Sequence, residues 1–326
     1  MEARRPAGLA RPRRRGVVTA EYPTSERIAL KVNRAASGRA SRALSGRPAR
    51  LLGRGAALAV ILLWSLFPIY WALNTSLTTL SAADSKPAHY VPVPLSGTSY
   101  RQAFGIGSGA SVGAGQFGRS LLNSTIESGA AMVLTVVIAV FAAYAFARLQ
   151  FRFKRTIFVS VLATLLLPAY ATLIPLYRIM ASLGLVNTYL AVILVYVSGF
   201  LPLAIWILYN YFNSIPRELE EAAFVDGASP VRTLLRVIVP VAMPGIAAAA
   251  IISFLMGWAQ FLFPLVLTTD ISTQPVTVIV AALNEQRIVP FTLLMACGVL
   301  AAAVPGILAL ILNRYIVEGI AAGSVK

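Results

Sequence analysis

Six long apolar stretches govern what this chain can fold into: about 56–77, 120–147, 156–181, 189–212, 242–268 and 291–313. Each is about 20 residues or more, the length an α-helix needs to cross a hydrocarbon layer about 30 Å thick. In lipid an unpaired backbone N–H or C=O finds no water, so a spanning segment must pair its own groups. The prediction is an all-α membrane protein with six transmembrane helices. Composition agrees. Hydrophobic residues make up 58% and charged residues 12% of the chain, against about a quarter charged in a soluble domain. The mean hydropathy is +0.75. Pro168, Pro175, Pro202, Pro244, Pro264 and Pro305 interrupt the stretches and predict bent helices, which neighbouring helices or a wet cavity must support.

Charge gives the orientation. The segments 1–55, 148–155, 213–241 and 314–326 hold 23 Lys and Arg residues, and 78–119, 182–188 and 269–290 hold 4. Lys and Arg collect on the cytoplasmic side, so both termini are placed there. The net charge of +16 invites a nucleic-acid reading, yet 14 of the 28 basic residues precede Ala56. They form a domain-like region of their own, 1–55, rich in Arg, Ala, Ser and Gly and without a core pattern. It reads as a disordered basic tail near anionic lipid, with an organelle transit peptide as the alternative. The apolar run that follows starts too late and runs too long for a cleaved signal, and is read as a retained anchor. The six-helix body is 56–313, and 314–326 is a second cytoplasmic tail.

Lone Cys297 excludes an internal disulfide, and lone His89 leaves little for a histidine metal site or a Ser–His pair. No G-x-x-x-x-G-K-[ST] sequence occurs, so no ATP hydrolysis is expected of this chain. Gly113-Ala-Gly115-Gln-Phe-Gly118 fits G-x-G-x-x-G, but outside a βαβ unit it reads as a linker. Asn123-Ser-Thr125 is a sequon at a membrane edge and carries little weight.

The gap 213–241 is longer than a connection requires. Ser214 is expected to cap a short helix with Pro216 in its first turn, and Glu218, Glu220 and Glu221 suit that helix's positive end. Leu219, Ala222, Ala223 and Phe224 offer apolar or small contacts, and Gly227 suits a left-handed ending. Ser229 and Pro230 start a second helix carrying Arg232 and Arg236. Its plain reading is a surface hairpin. Glu221-Ala222-Ala223, Gly227, Val237, Val239 and Pro240 resemble the signature E-A-A, three residues, G, nine residues, I-x-L-P of permease subunits of binding-protein-dependent ABC importers. The two valines stand where that signature has Ile and Leu. Leu66–Trp71, Ala143–Arg148, Leu173–Tyr177, Leu183–Thr188, Ile215–Leu219, Trp258–Pro264 and Gly319–Gly323 resemble the carbohydrate branch, in particular its maltose-type second permease. Ala259 and Gln260 stand where that branch usually has Asn-Glu.

The resemblance implies a type I importer permease in a bacterial cell membrane. It implies a second permease, two ATPase subunits holding ATP and Mg, an outer solute-binding protein and a sugar cargo. No cofactor is expected in this chain. It also implies that Glu221, Ala222, Ala223, Gly227 and Pro240 couple to the ATPase. From the residues themselves, Asn123, Glu127, Trp258, Gln260 and Phe261 are candidates for a substrate path, with core packing or a structural pair as the alternative. Gly245, Ala249, Ser253 and Gly257 form a four-residue-period stripe that lets another helix come close; Ala139, Ala143 and Ala147 form a weaker one. The competing readings are an ABC permease for amino acids, peptides or phosphonates and, more distantly, a polytopic membrane enzyme or a receptor.

Overall fold

The structure, a computed structural model, describes residues 54–87, 89–106, 114–285 and 289–324, with backbone alone from 312 onward. The basic tail expected over 1–55 lies, but for its last two residues, outside the described residues, as does Gly113 of the glycine-rich motif. The chain divides into two units, 1–66 and 67–326.

Among the described residues every regular element is a helix, and one isolated bridge joins Thr78 to Leu95. In chain order the helices are α1 (Arg54–Ser76), α2 (Leu80–Ala83), α3 (Thr98–Ala103), α4 (Phe117–Arg148), α5 (Lys154–Ala163), α6 (Ala169–Ser182), α7 (Tyr189–Ser214) and α8 (Glu218–Val225). There follow α9 (Pro230–Thr233), α10 (Val239–Val241), α11 (Met243–Trp258), α12 (Leu262–Leu267), α13 (Val276–Glu285) and α14 (Phe291–Ser324). Four are long and apolar enough to cross a membrane: Arg54–Ser76, Phe117–Arg148, Tyr189–Ser214 and, within α14, Phe291–Ile311.

Two expected spans are broken. The third, expected over 156–181, runs as α5 and a 3-10 turn to Leu166, then turns through 103° into α6. Leu167 is extended, with ψ 125°, the conformation that the ring of a following proline favours. The fifth, expected over 242–268, begins after an 81° bend between α10 and α11 and stops at Trp258, before the six-residue α12. By contrast α7 continues through Pro202 and α14 through Pro305. Helix α14 also runs on to Ser324 instead of ending near 313.

Helix α4 shows how the core of the second unit is built. Its buried face carries Asn123, Glu127, Ala131, Thr135, Ala139, Ala143 and Ala147, one every four residues. Its exposed residues include Leu122, Val133, Leu134, Val137, Ile138 and Phe141. Small and polar groups inside with large apolar groups outside is the arrangement lipid favours, since close helix approach, not water exclusion, drives packing there. Ala139, Ala143 and Ala147 share a cluster with Ala204, Leu208 and Phe212 of α7 and with Ala249 of α11. A Cβ on Gly245 of α11 would lie 2.5 Å from the Tyr211 ring of α7, and one on Gly257 would lie 3.2 Å from the Ser128 backbone of α4. The small-residue stripe therefore packs against this chain's own α7 and α4, with Ala249 and Ser253 buried between.

Candidate functional site

The segment from Ile215 to Ala242 leaves α7 and returns to α11 by way of α8 and then a continuous helical run over Pro230–Val241 that holds α9 and α10. Ser214 does not cap the next helix. It is the last residue of α7, and its hydroxyl donates to the Tyr211 carbonyl 2.7 Å away. Helix α8 starts at Glu218 without a side-chain cap, and places Glu218, Glu220 and Glu221 in its first turn. It ends as the sequence predicts: Gly227 is left-handed at φ 77°. The Gly227 N–H donates to the Phe224 carbonyl at 3.0 Å and the Ala228 N–H to the Ala223 carbonyl at 2.9 Å. This paired closure is the Schellman motif. Ser229 then caps α9, accepting from the Arg232 N–H at 3.4 Å. After α9 the backbone widens into a π-turn over Leu234–Ile238. The widened turn lies just ahead of Pro240, which has no N–H with which to close an α-helical bond.

Burial sorts the residues of α8 into two faces. Glu220 and Ala223 are buried against this chain, while Leu219, Glu221, Ala222, Phe224 and Val225 are exposed. Neighbouring helical residues point about 100° apart, so one acid can turn inward and the next outward. The inward acid is held firmly. Glu220 forms an ion pair with Arg148, the last residue of α4, and accepts from the Tyr144 hydroxyl at 3.3 Å. Arg148 also donates to the Ile215 carbonyl at 2.8 Å. Among the described residues this is the one ion pair. Sequence reading missed it, since nothing local distinguishes Glu220 from Glu218 or Glu221. Pro240 is exposed at the end of the loop, and Gly227 is exposed at its corner.

The five candidates for a substrate path do not converge. Asn123 is fully buried and its amide is in use. It donates to the Ser272 and Gln274 carbonyls at 3.0 and 2.9 Å and accepts from the Tyr189 hydroxyl at 2.7 Å. It pins the 268–275 turn to α4 and α7. Trp258 donates to the Ala301 carbonyl of α14 at 3.1 Å and stacks on Phe254. Gln260 lines a cavity of about 510 Å³ between α6, α7 and the α11–α12 break, with Thr172, Tyr196, Ser198 and Phe263. Phe261 and Trp258 line a different cavity of about 550 Å³, with Thr277 and Asn284. Glu127 is fully buried, and neither carboxylate oxygen has a partner among the described protein groups. Buried hydroxyls of Ser128, Thr135 and Tyr196 share that condition.

Comparison with known proteins bears on what such a loop serves. Residues 135–321 match the family described as binding-protein-dependent transport system inner membrane component. Over 212 residues the chain is 41% identical to the osmoprotective compounds uptake permease protein GgtD of Synechocystis, covering 64% of this chain and 70% of that one. It is 32% identical to the sulfoquinovosyl glycerol transport system permease protein SmoH of Agrobacterium fabrum, covering 86% and 95%. It is 36% identical to the trehalose/maltose transport system permease protein MalG of Thermococcus litoralis, covering 63% and 74%. A solved bacterial ABC transporter involved in alginate import shares the fold, with a TM-score of 0.67 and 22% identity over 91% of this chain and 99% of that one. The all-helical fold, the matched residues and these relatives agree: this chain is a multi-pass membrane transport component that belongs to the binding-protein-dependent transport system inner membrane component family.

Proposed function

We propose that this chain is a permease subunit of an ATP-driven sugar importer, and that α8 is the element through which an ATPase drives it. The observation that carries the coupling role is the two-faced α8. Glu220 fastens it from behind, while Glu221, Ala222 and Phe224 remain exposed for a partner. Glu221 supplies a charge-assisted contact, Ala222 lets a partner backbone approach, and Gly227 sets the angle between α8 and α9. Ala223, buried, shapes the rear face, and Pro240 closes the segment.

In this reading the chain crosses the membrane six times, α5 with α6 and α11 with α12 each serving as a broken span. Both termini face the cytoplasm, with 1–55 and 314–326 as tails around the body 56–313 and the loop 213–241 inside. The assembly adds a second permease, two ATPase subunits holding ATP and Mg, and an outer solute-binding protein. ATP binding favours one of two states of the membrane cavity, and α8 transmits that preference. The cavity at Gln260 belongs to the cargo path; Trp258 and Phe261 line the second cavity beside it. Glu127 lies behind this path as a polar group in the helix interior, and Asn123 holds the outer turn.

The carbohydrate cargo is supported by the relatives named for trehalose/maltose and sulfoquinovosyl glycerol transport. A second cargo class is favoured by the 41% identity to the permease for osmoprotective compounds. The test is uptake by the complete reconstituted transporter, offered labelled trehalose, maltose and a set of osmoprotective solutes. ATP-dependent uptake of a sugar is expected. Uptake confined to non-sugar osmoprotectants would refute the sugar assignment, and ATP-independent uptake would refute the importer.

A further inference from the structure

We infer that Arg148, Glu220 and Tyr144 form a grip that locks α8 to α4, so that displacement of the loop moves α4 as a rod. This rests on the docking role proposed for α8 and extends it to the route by which force enters the membrane. Arg148 and Glu220 are positioning residues; neither touches cargo or nucleotide.

Tyr144 and Arg148 are four residues apart on α4 and project to the same side. Between them they hold both oxygens of the Glu220 carboxylate. The same guanidinium holds the Ile215 carbonyl, beyond the end of α7. The Arg148 and Glu220 side chains are 6% and 7% exposed. An exposed pair yields readily because water replaces each partner, whereas parting a buried pair strands two charges. The grip therefore holds when α8 is pushed.

What it holds is the longest unbroken helix with described side chains throughout. The 32 residues of α4 extend about 48 Å. The α5–α6 and α10–α11 pairs instead turn sharply. The far end of α4 is fastened too. Asn123 holds the Ser272 and Gln274 carbonyls, and the Val276 N–H donates to the Ser124 hydroxyl at 2.8 Å. Helix α4 thus joins α8 at one end to the 270–276 segment at the other without a hinge between.

The test uses the complete transporter in lipid, with Cys297→Ala as background and spin labels on cysteines at Asp226 and Phe141. The wild-type distance between labels is expected to stay fixed, within about 2 Å, between the nucleotide-free state and the state trapped by ATP and vanadate. Glu220→Gln and Arg148→Gln are expected to keep the ATPase bound and hydrolysing ATP while that distance shifts on trapping. The exchanged pair Arg148→Glu/Glu220→Arg restores the fixed distance. If either single variant fails to fold and insert into the membrane, Tyr144→Phe, which leaves the ion pair in place, is expected to broaden the distance distribution, and an unchanged distribution counts against the grip. A wild-type distance that changes on trapping, or single variants that keep it fixed, would overturn the proposal. Loss of the ATPase from the single variants would also overturn it, by showing that the pair builds the docking face. The docking role fails separately, if a cysteine at Ala222 cross-links to no ATPase subunit.

Discussion

Two residues make opposite demands on the backbone and on the solvent. Gly227 stands at φ 77° in open space, so a side chain there meets no neighbour, only its own backbone. Gly227→Val is expected to cost about 1–2 kcal/mol of local strain and to tilt α8 against α9. Expression and membrane insertion should persist while ATP-driven uptake falls; wild-type uptake by Gly227→Val would refute the corner's role. Glu127 makes the other demand. A charged carboxyl within a bilayer costs up to about 2.5–3.5 kcal/mol at the centre, and no described cation offsets this one. Glu127→Leu is therefore expected to raise the thermal midpoint of the solubilised complex and to lower uptake, as when a polar group is kept for function. A lowered midpoint would mean that the carboxyl has a stabilising partner in the assembled transporter. The Gly227 ending was legible because it is written in local sequence: glycine after a helical run, then Ser-Pro. The choice of Glu220 over its neighbours was not. Leu219, Ala222, Ala223 and Phe224 read alike as contact residues, but Glu220 pairs with Arg148, 72 positions away in sequence, and Glu220 and Ala223 face in.

The same contrast holds for whole helices. Leu167-Pro168 and Leu201-Pro202 are identical dipeptides, yet the first ends a helix and the second lies inside one. Pro202 is buried and flanked by Phe200, Ala204 and Ile205 in the α4–α7 core, and packing there carries the helix across the missing hydrogen bond. Leu167 and Pro168 are exposed, so the steric preference of the dipeptide prevails. Periodicity reports apolar length, and so found both spans; it does not report which proline its neighbours will support. The stripe on α11 was legible for the converse reason, because spacing of small residues is itself the packing code. Gly245→Ala would set a methyl against the Tyr211 ring. Overpacking of this kind costs about 1–3 kcal/mol, read as a lower thermal midpoint of the complex. Pairing it with Tyr211→Leu should recover part of the loss, whereas strictly additive effects would show that the two sites are not in contact.

For the molecule as a whole, the side on which α8 lies depends on whether α5 and α6 together cross the bilayer. Rods of about 20 and 21 Å joined at 103° reach only about 25 Å end to end, against about 30 Å of hydrocarbon. Geometry alone leaves crossing and re-entry close. Charge separates them. Arg148 and Arg152 precede the pair and Lys154 and Arg155 begin it, whereas 182–188 holds no Lys or Arg, the asymmetry expected of a segment that crosses. If the pair only dipped in and returned, every later segment would change sides and α8 would face away from any cytoplasmic ATPase. Single cysteines at Leu183 and Asp226, in a Cys297→Ala background, distinguish the two arrangements with a membrane-impermeant maleimide. Leu183→Cys is expected to react on intact cells stripped of their outer envelope. Asp226→Cys should react only after the membrane is opened. Reaction of Asp226→Cys from outside would remove the loop from the reach of an ATPase, and with it the importer mechanism.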